Sequence, residues 1–145
     1  MTISYHTEDT KSPKIDREIT SCWIKRITSG YNRKIGEITY IFCSDKKILE
    51  INQTYLHHDY YTDIITFDYS EKDKISGDIF ISLDTVKSNS EKFNTLYEEE
   101  LYRTVIHGIL HLCGIDDKKP GEREIMEEHE NNALAILSKE FLNSK

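Results

Sequence analysis

Between residues 15 and 28, apolar side chains fall at Ile15, Ile19, Cys22, Trp23 and Ile27, and Gly30 follows as a C-terminal stop. The spacing predicts an amphipathic helix. From residue 36 to 43 the pattern changes to GEITYIFC, rich in Ile, Thr, Tyr and Phe, which predicts a strand; Ser44 can then cap a helix carrying Leu49, Asn52 and Tyr55. Two further strands are predicted at residues 63–69 (DIITFDY) and 78–83 (DIFISL), with EKDKISG between them reading as a turn. The remainder has helical periodicity: a short helix from about Thr85, a long one over residues 97–113 stopped by Gly114, and a last one from about Glu122 to Leu142.

Strands clustered between helices indicate an α+β fold, a small mixed sheet of about four strands packed with several helices. With 145 residues, two prolines, no repeat and no Pro/Gly/Ser-rich linker, one domain spanning residues 1–145 is expected. A hydrophobic share of 37% suffices for a core and excludes a wholly disordered chain. No run approaches the roughly 18 to 20 apolar residues of a spanning helix, and the opening MTISYHTEDT lacks a secretory signal's basic and apolar stretches, so a cytoplasmic protein without a membrane partner is expected. Cys22, Cys43 and Cys113 form no CxxC pair and are expected to be buried thiols.

A net charge of −7 argues against gripping nucleic acid over the whole surface. The distribution softens this. Residues 11–36 hold seven basic groups (Lys11, Lys14, Arg17, Lys25, Arg26, Arg33, Lys34) against Asp16 and Glu18, a local balance of +5.

The chemistry concentrates in His107-Gly108-Ile109-Leu110-His111. Residues four apart on a helix lie one above the other, so both imidazoles can face one metal ion, and the turn at Gly114 at once offers Asp116 and Asp117 as a third ligand. Three protein ligands with an open position is the arrangement of a catalytic zinc. Two core histidines on an apolar helix would give the same pair; the glycine turn and paired carboxylates favour the metal. Gly108 costs roughly 1 kcal/mol inside a helix, which points to close approach by backbone or ligand. It also stands where the protease motif HExxH has its general base, which counts against a peptidase.

HGILHLCGIDD resembles the signature of the YbeY family of endoribonucleases, HGxLHLxGYDH followed by ExxxMxxxE, the latter matched by Glu122, Met126 and Glu130. Upstream, Asn52, Tyr55 and Asp59 leading into TDIITF, and Gly77-Asp78-Ile79, are also similar to the family. The resemblance implies a metal-dependent, single-strand-specific endoribonuclease acting in 3′-end maturation of small-subunit rRNA and in ribosome quality control. It also implies one zinc ion, with the small ribosomal subunit and a ribosome-assembly GTPase as partners. In the family's alignment Asp117 takes the third ligand position and Asp116 that of the motif's aspartate, where it could assist proton transfer. A carboxylate in place of the third histidine still suits zinc but leaves the metal's identity open.

The family's arginine thought to meet the RNA backbone is replaced by Leu56, so phosphate contact is expected from Arg26, Arg33, Lys34 or Arg103. Two other functions share these features: a zinc peptidase of HxxxH type, and a non-catalytic rRNA- or assembly-factor-binding protein with a structural metal. Tyr60, Tyr61 and Tyr69 offer rings for base stacking, and His129 is expected to be a hydrogen-bonded core histidine.

Overall fold

The computed structural model describes residues 2–56 and 63–142. Its centre is a four-stranded sheet in the order β1 (Thr2–Thr7), β2 (Lys34–Cys43), β4 (Lys74–Ser82), β3 (Ile64–Asp68). The first three run parallel and β3 closes one edge antiparallel to β4, so the expected α+β fold with a small mixed sheet is the one found. Parallel pairing requires crossovers, supplied by α1 (Arg17–Gly30) between β1 and β2 and by α2 (Asp45–Ile51) with β3 between β2 and β4. The chain continues through α3 (Leu83–Lys92), α4 (Tyr97–Leu112) and α5 (Glu122–Ile136).

Strand alternation sorts the side chains into two clusters. Ile38, Tyr40, Phe42, Ile79 and Ile81 join the main core with Trp23, Val105, Ile106 and Ile109, whereas Cys43 and Ile65 face the other way, onto Ile48 and Ile51 of α2. The main core is pinned by two long-range hydrogen bonds: Tyr40 Oη donates to the Val105 carbonyl at 2.8 Å, and Trp23 Nε1 donates to the Ala133 carbonyl at 2.9 Å. These fasten α4 to the sheet and α5 to α1.

Several local expectations shift. Strand β1 is not signalled by the sequence pattern, because only Tyr5 is buried; it exists by pairing with β2 and by stacking Tyr5 on Tyr40 with ring centroids 5.6 Å apart. The KISG of the expected turn is the first half of β4, with the reversal confined to residues 69–73. Asp16 caps α1, accepting from the Ile19 N–H, so the helix starts two residues after Ile15. Cys22 is exposed, because it falls beside the helix face that Trp23 and Ile27 bury. Cys43 and Cys113 are buried, and burial pushes their thiols up to about 12 and about 11.

Candidate metal centre

Helix α4 lies on the sheet through Val105, Ile106, Ile109 and Leu110, all fully buried. Gly108 makes that approach possible: a Cβ there would stand 3.0 Å from Ile79 Cδ1 and 3.2 Å from Ile64 Cδ1. The helix therefore has glycine in its interior for packing on the sheet, not for contact with a ligand.

The end of α4 is a Schellman motif. The Gly114 N–H donates to the His111 carbonyl and the Ile115 N–H to the Leu110 carbonyl, with Gly114 at φ 99°, a region that a Cβ penalises. Ile115 packs on the core, and the reversed chain carries Asp116 and Asp117 back over the helix end. Gly114→Ala is expected to cost about 1–2 kcal/mol of stability and to weaken metal binding by displacing this loop; thermal unfolding and a zinc titration of the same sample measure both effects.

His107 and Asp117 meet. Nε2 of His107 lies 3.2 Å from Asp117 Oδ2, and its Nδ1 lies 2.6 Å from Oε2 of Glu130 on α5. Glu130 is buried, and its other oxygen accepts from Arg103 at 2.9 Å, while Arg103 also donates to Asn131 Oδ1 at 2.7 Å. A carboxylate paired with arginine is ionised and can only accept, so His107 Nδ1 carries the proton of that bond and Nε2 is directed at Asp117. Burial would lower the His107 pKa, but the hydrogen bond and charge of Glu130, with Asp117 and Asp63 behind them, raise it above the ordinary histidine value. A metal at Nε2 would leave the Nδ1 proton on its bond to Glu130 and compete only with protonation of Nε2 itself.

His111 stands one turn further along, a third exposed, with Nδ1 3.9 Å from Asp116 Oδ1. Among the described residues no group of three or more His, Cys, Asp or Glu is already closed at ligating distance. The donor set nevertheless fits a zinc-like ion: two imidazoles at helical spacing, a carboxylate turned onto one of them, and a buried acceptor orienting that imidazole from behind.

The basic residues divide. Arg33 reaches this loop, its guanidinium 3.8 Å from where a Cβ on Gly114 would stand, and it shares a groove with Lys34. Arg26 is turned to Glu140, 3.3 Å away. Arg103, a phosphate candidate by sequence, is occupied by Glu130 and Asn131, so its role is to hold the carboxylate behind His107. Glu130 was visible only as the last residue of ExxxMxxxE; Met126 of that motif is buried in the core, and Glu122 accepts from the Lys119 N–H at 2.8 Å, bracing the loop before α5.

Leu56 ends a π-helical turn (Asn52–Leu56) and carries no charge. Tyr60 and Tyr61 lie outside the described residues. Tyr69 is exposed, its hydroxyl donating to Asp78 on the sheet face opposite α4. His129 is half-buried, with Nδ1 2.5 Å from the Tyr31 hydroxyl, which matches a hydrogen-bonded structural histidine.

The family model for endoribonuclease YbeY matches residues 3–138. The endoribonuclease YbeY of Parabacteroides distasonis is 66% identical over 97% of this chain and 99% of its own length. That of Bacteroides fragilis is 67% identical over 94% and 98%, and that of Porphyromonas gingivalis 49% identical over 93% and 89%. A solution structure of a Thermotoga maritima protein matches with a TM-score of 0.70 at 28% identity, covering 98% of this chain and 93% of that one. With the match running from β1 to the end of α5, and relatives of nearly equal length, the chain belongs to the endoribonuclease YbeY family.

Proposed function

We propose that the chain cleaves single-stranded RNA with one metal ion, zinc by donor chemistry, held by His107, His111 and Asp117, and that its RNA is the 3′ end of small-subunit rRNA. Family membership makes it an endoribonuclease, hence a hydrolase of phosphodiester bonds. The observation that carries the metal assignment is His107 held through Nδ1 by buried Glu130 while Nε2 meets Asp117. The small ribosomal subunit and a ribosome-assembly GTPase are the proposed partners on family resemblance alone, and the cytoplasm is the proposed location. No helix among the described residues is long and apolar enough to cross a membrane.

The chain's own residues divide the labour. Glu130 fixes the tautomer and ring orientation of His107, and Arg103 holds Glu130 in place by donating to its other oxygen. The rigid α4 sets the spacing of the two histidines, and the Gly114 turn delivers Asp117. Asp116, the more exposed of the two aspartates, is the candidate for proton transfer at the open side of the site. When bound, the ion acidifies a water and polarises a phosphoryl oxygen.

The geometry gives a peptidase no support: the position of the missing general base is Gly108, packed against Ile79 and Ile64 with no room for a glutamate. The deciding assay offers the metal-loaded protein single-stranded RNA, double-stranded RNA and a peptide panel, before and after chelation. Cleavage of the single strand alone, lost on chelation while the fold persists, is expected; cleavage of peptides but not RNA would overturn the reading, and unfolding on chelation would favour a structural metal.

Glu130→Gln tests the support for His107. Loss of the charge behind the imidazole is expected to weaken zinc binding roughly 10–100-fold, read by competition with a chelating dye. Unchanged affinity would show that Glu130 only fills space.

A further inference from the structure

Arg26 faces Glu140, Arg103 faces Glu130, and Lys47 faces Glu8. Lys25, Arg33 and Lys34 are different. They line a groove of about 320 Å3 with Thr28, Ser29 and Ile35, where the end of α1 meets the start of β2, and among the described residues none of the three has a carboxylate partner. Like charges gathered on one concave surface repel each other and focus positive potential there, a cost that an anion bound among them relieves. No aromatic ring lines the groove, so it offers a base nothing to stack on; what it can recognise is charge on a backbone.

Arg33 joins this groove to the metal centre. It lies beside Gly114, and its charge lowers the Cys113 thiol that burial raises. Gly114 is three residues before Asp117, a span of at most about 10 Å of chain.

We propose that the groove is a phosphodiester subsite: the planar fork of Arg33 takes a backbone phosphate, Lys25 and Lys34 add point charge, and the Ser29 hydroxyl is available as a neutral donor. It holds one flank of a single RNA strand whose scissile bond lies at His107, His111 and Asp117. The inference rests on the nuclease reading for the position of the scissile bond, but not for the binding of the strand. It assigns to Lys25 a role that sequence suggested for Arg26, its neighbour on α1.

The test is fluorescence anisotropy with a short single-stranded RNA of phosphorothioate linkages, stepped through salt, on the metal-loaded protein and on the triple variant Lys25→Gln, Arg33→Gln, Lys34→Gln. Each lost phosphate contact removes roughly 0.7 from the slope of log affinity against log salt, so the triple variant is expected to lose between about 0.7, if the three cations share one phosphate, and about 2, if each meets its own, while keeping its metal. Arg26→Gln is expected to leave the slope unchanged. An unaltered slope in the triple variant overturns the subsite, whether or not the wild-type protein cleaves RNA. Displacement of the RNA by polyglutamate of equal charge, as readily as by unlabelled RNA, also overturns it, since the groove would then be an acidic-protein site. A lost slope in a protein that cleaves no RNA would keep the subsite and reject the nuclease reading.

Discussion

His111→Ala is expected to lose most of the bound metal and, with it, RNA cleavage by roughly 10³-fold or more, because the ion's share of transition-state stabilisation is several kcal/mol. His111 is the sharper of the two histidine tests. Its side chain is a third exposed and makes only a 3.9 Å approach to Asp116, so its removal leaves the fold's hydrogen bonds intact. His107→Ala should lose metal equally, but it also deprives buried Glu130 of one partner, which costs about 1–3 kcal/mol of stability. Elemental analysis beside a thermal melt separates the two effects. If both variants kept one equivalent of metal, the centre would lie elsewhere.

The second large effect distinguishes the aspartates. Asp117→Ala should lose metal and cleavage together, because Asp117 is the carboxylate that the reversed chain sets against Nε2 of His107. Asp116→Ala should keep the metal and lower only the rate, since its carboxylate lies beside Nδ1 of His111 and is mostly exposed. Asp117→His should still bind zinc, as imidazole and carboxylate both suit that ion. Metal content across the three variants decides: retention in Asp117→Ala with loss in Asp116→Ala would exchange the two roles, and retention in both would remove the loop from the site.

What the sequence determined by itself was whatever depends on neighbours within a turn or two. The helical spacing of His107 and His111, the stop at Gly114, the Ser44 cap, and the β-branched and aromatic runs of β2 and β3 are all consequences of local backbone geometry, and they place the candidate ligands on one element and one loop. Resemblance to the family rested on that string together with separated blocks from Asn52 to Glu130. Tertiary structure alone decided which distant groups stand behind them. Glu130 is 23 residues from His107 and is one of many glutamates in α5; only the packing of α5 on α4 buries it against the imidazole and gives it Arg103, so that a candidate phosphate contact becomes a structural clamp. Strand β1 needed β2 beside it to exist, and Gly108 needed Ile79 and Ile64 beneath it to be explained. Arg33 and Arg26 look alike as charges in one basic stretch, yet the fold turns one toward Glu140 and sets the other beside Gly114. A charge's partner is chosen by proximity in space, and proximity between residues far apart in the chain is created by burial of the core, not by any pattern those residues carry themselves.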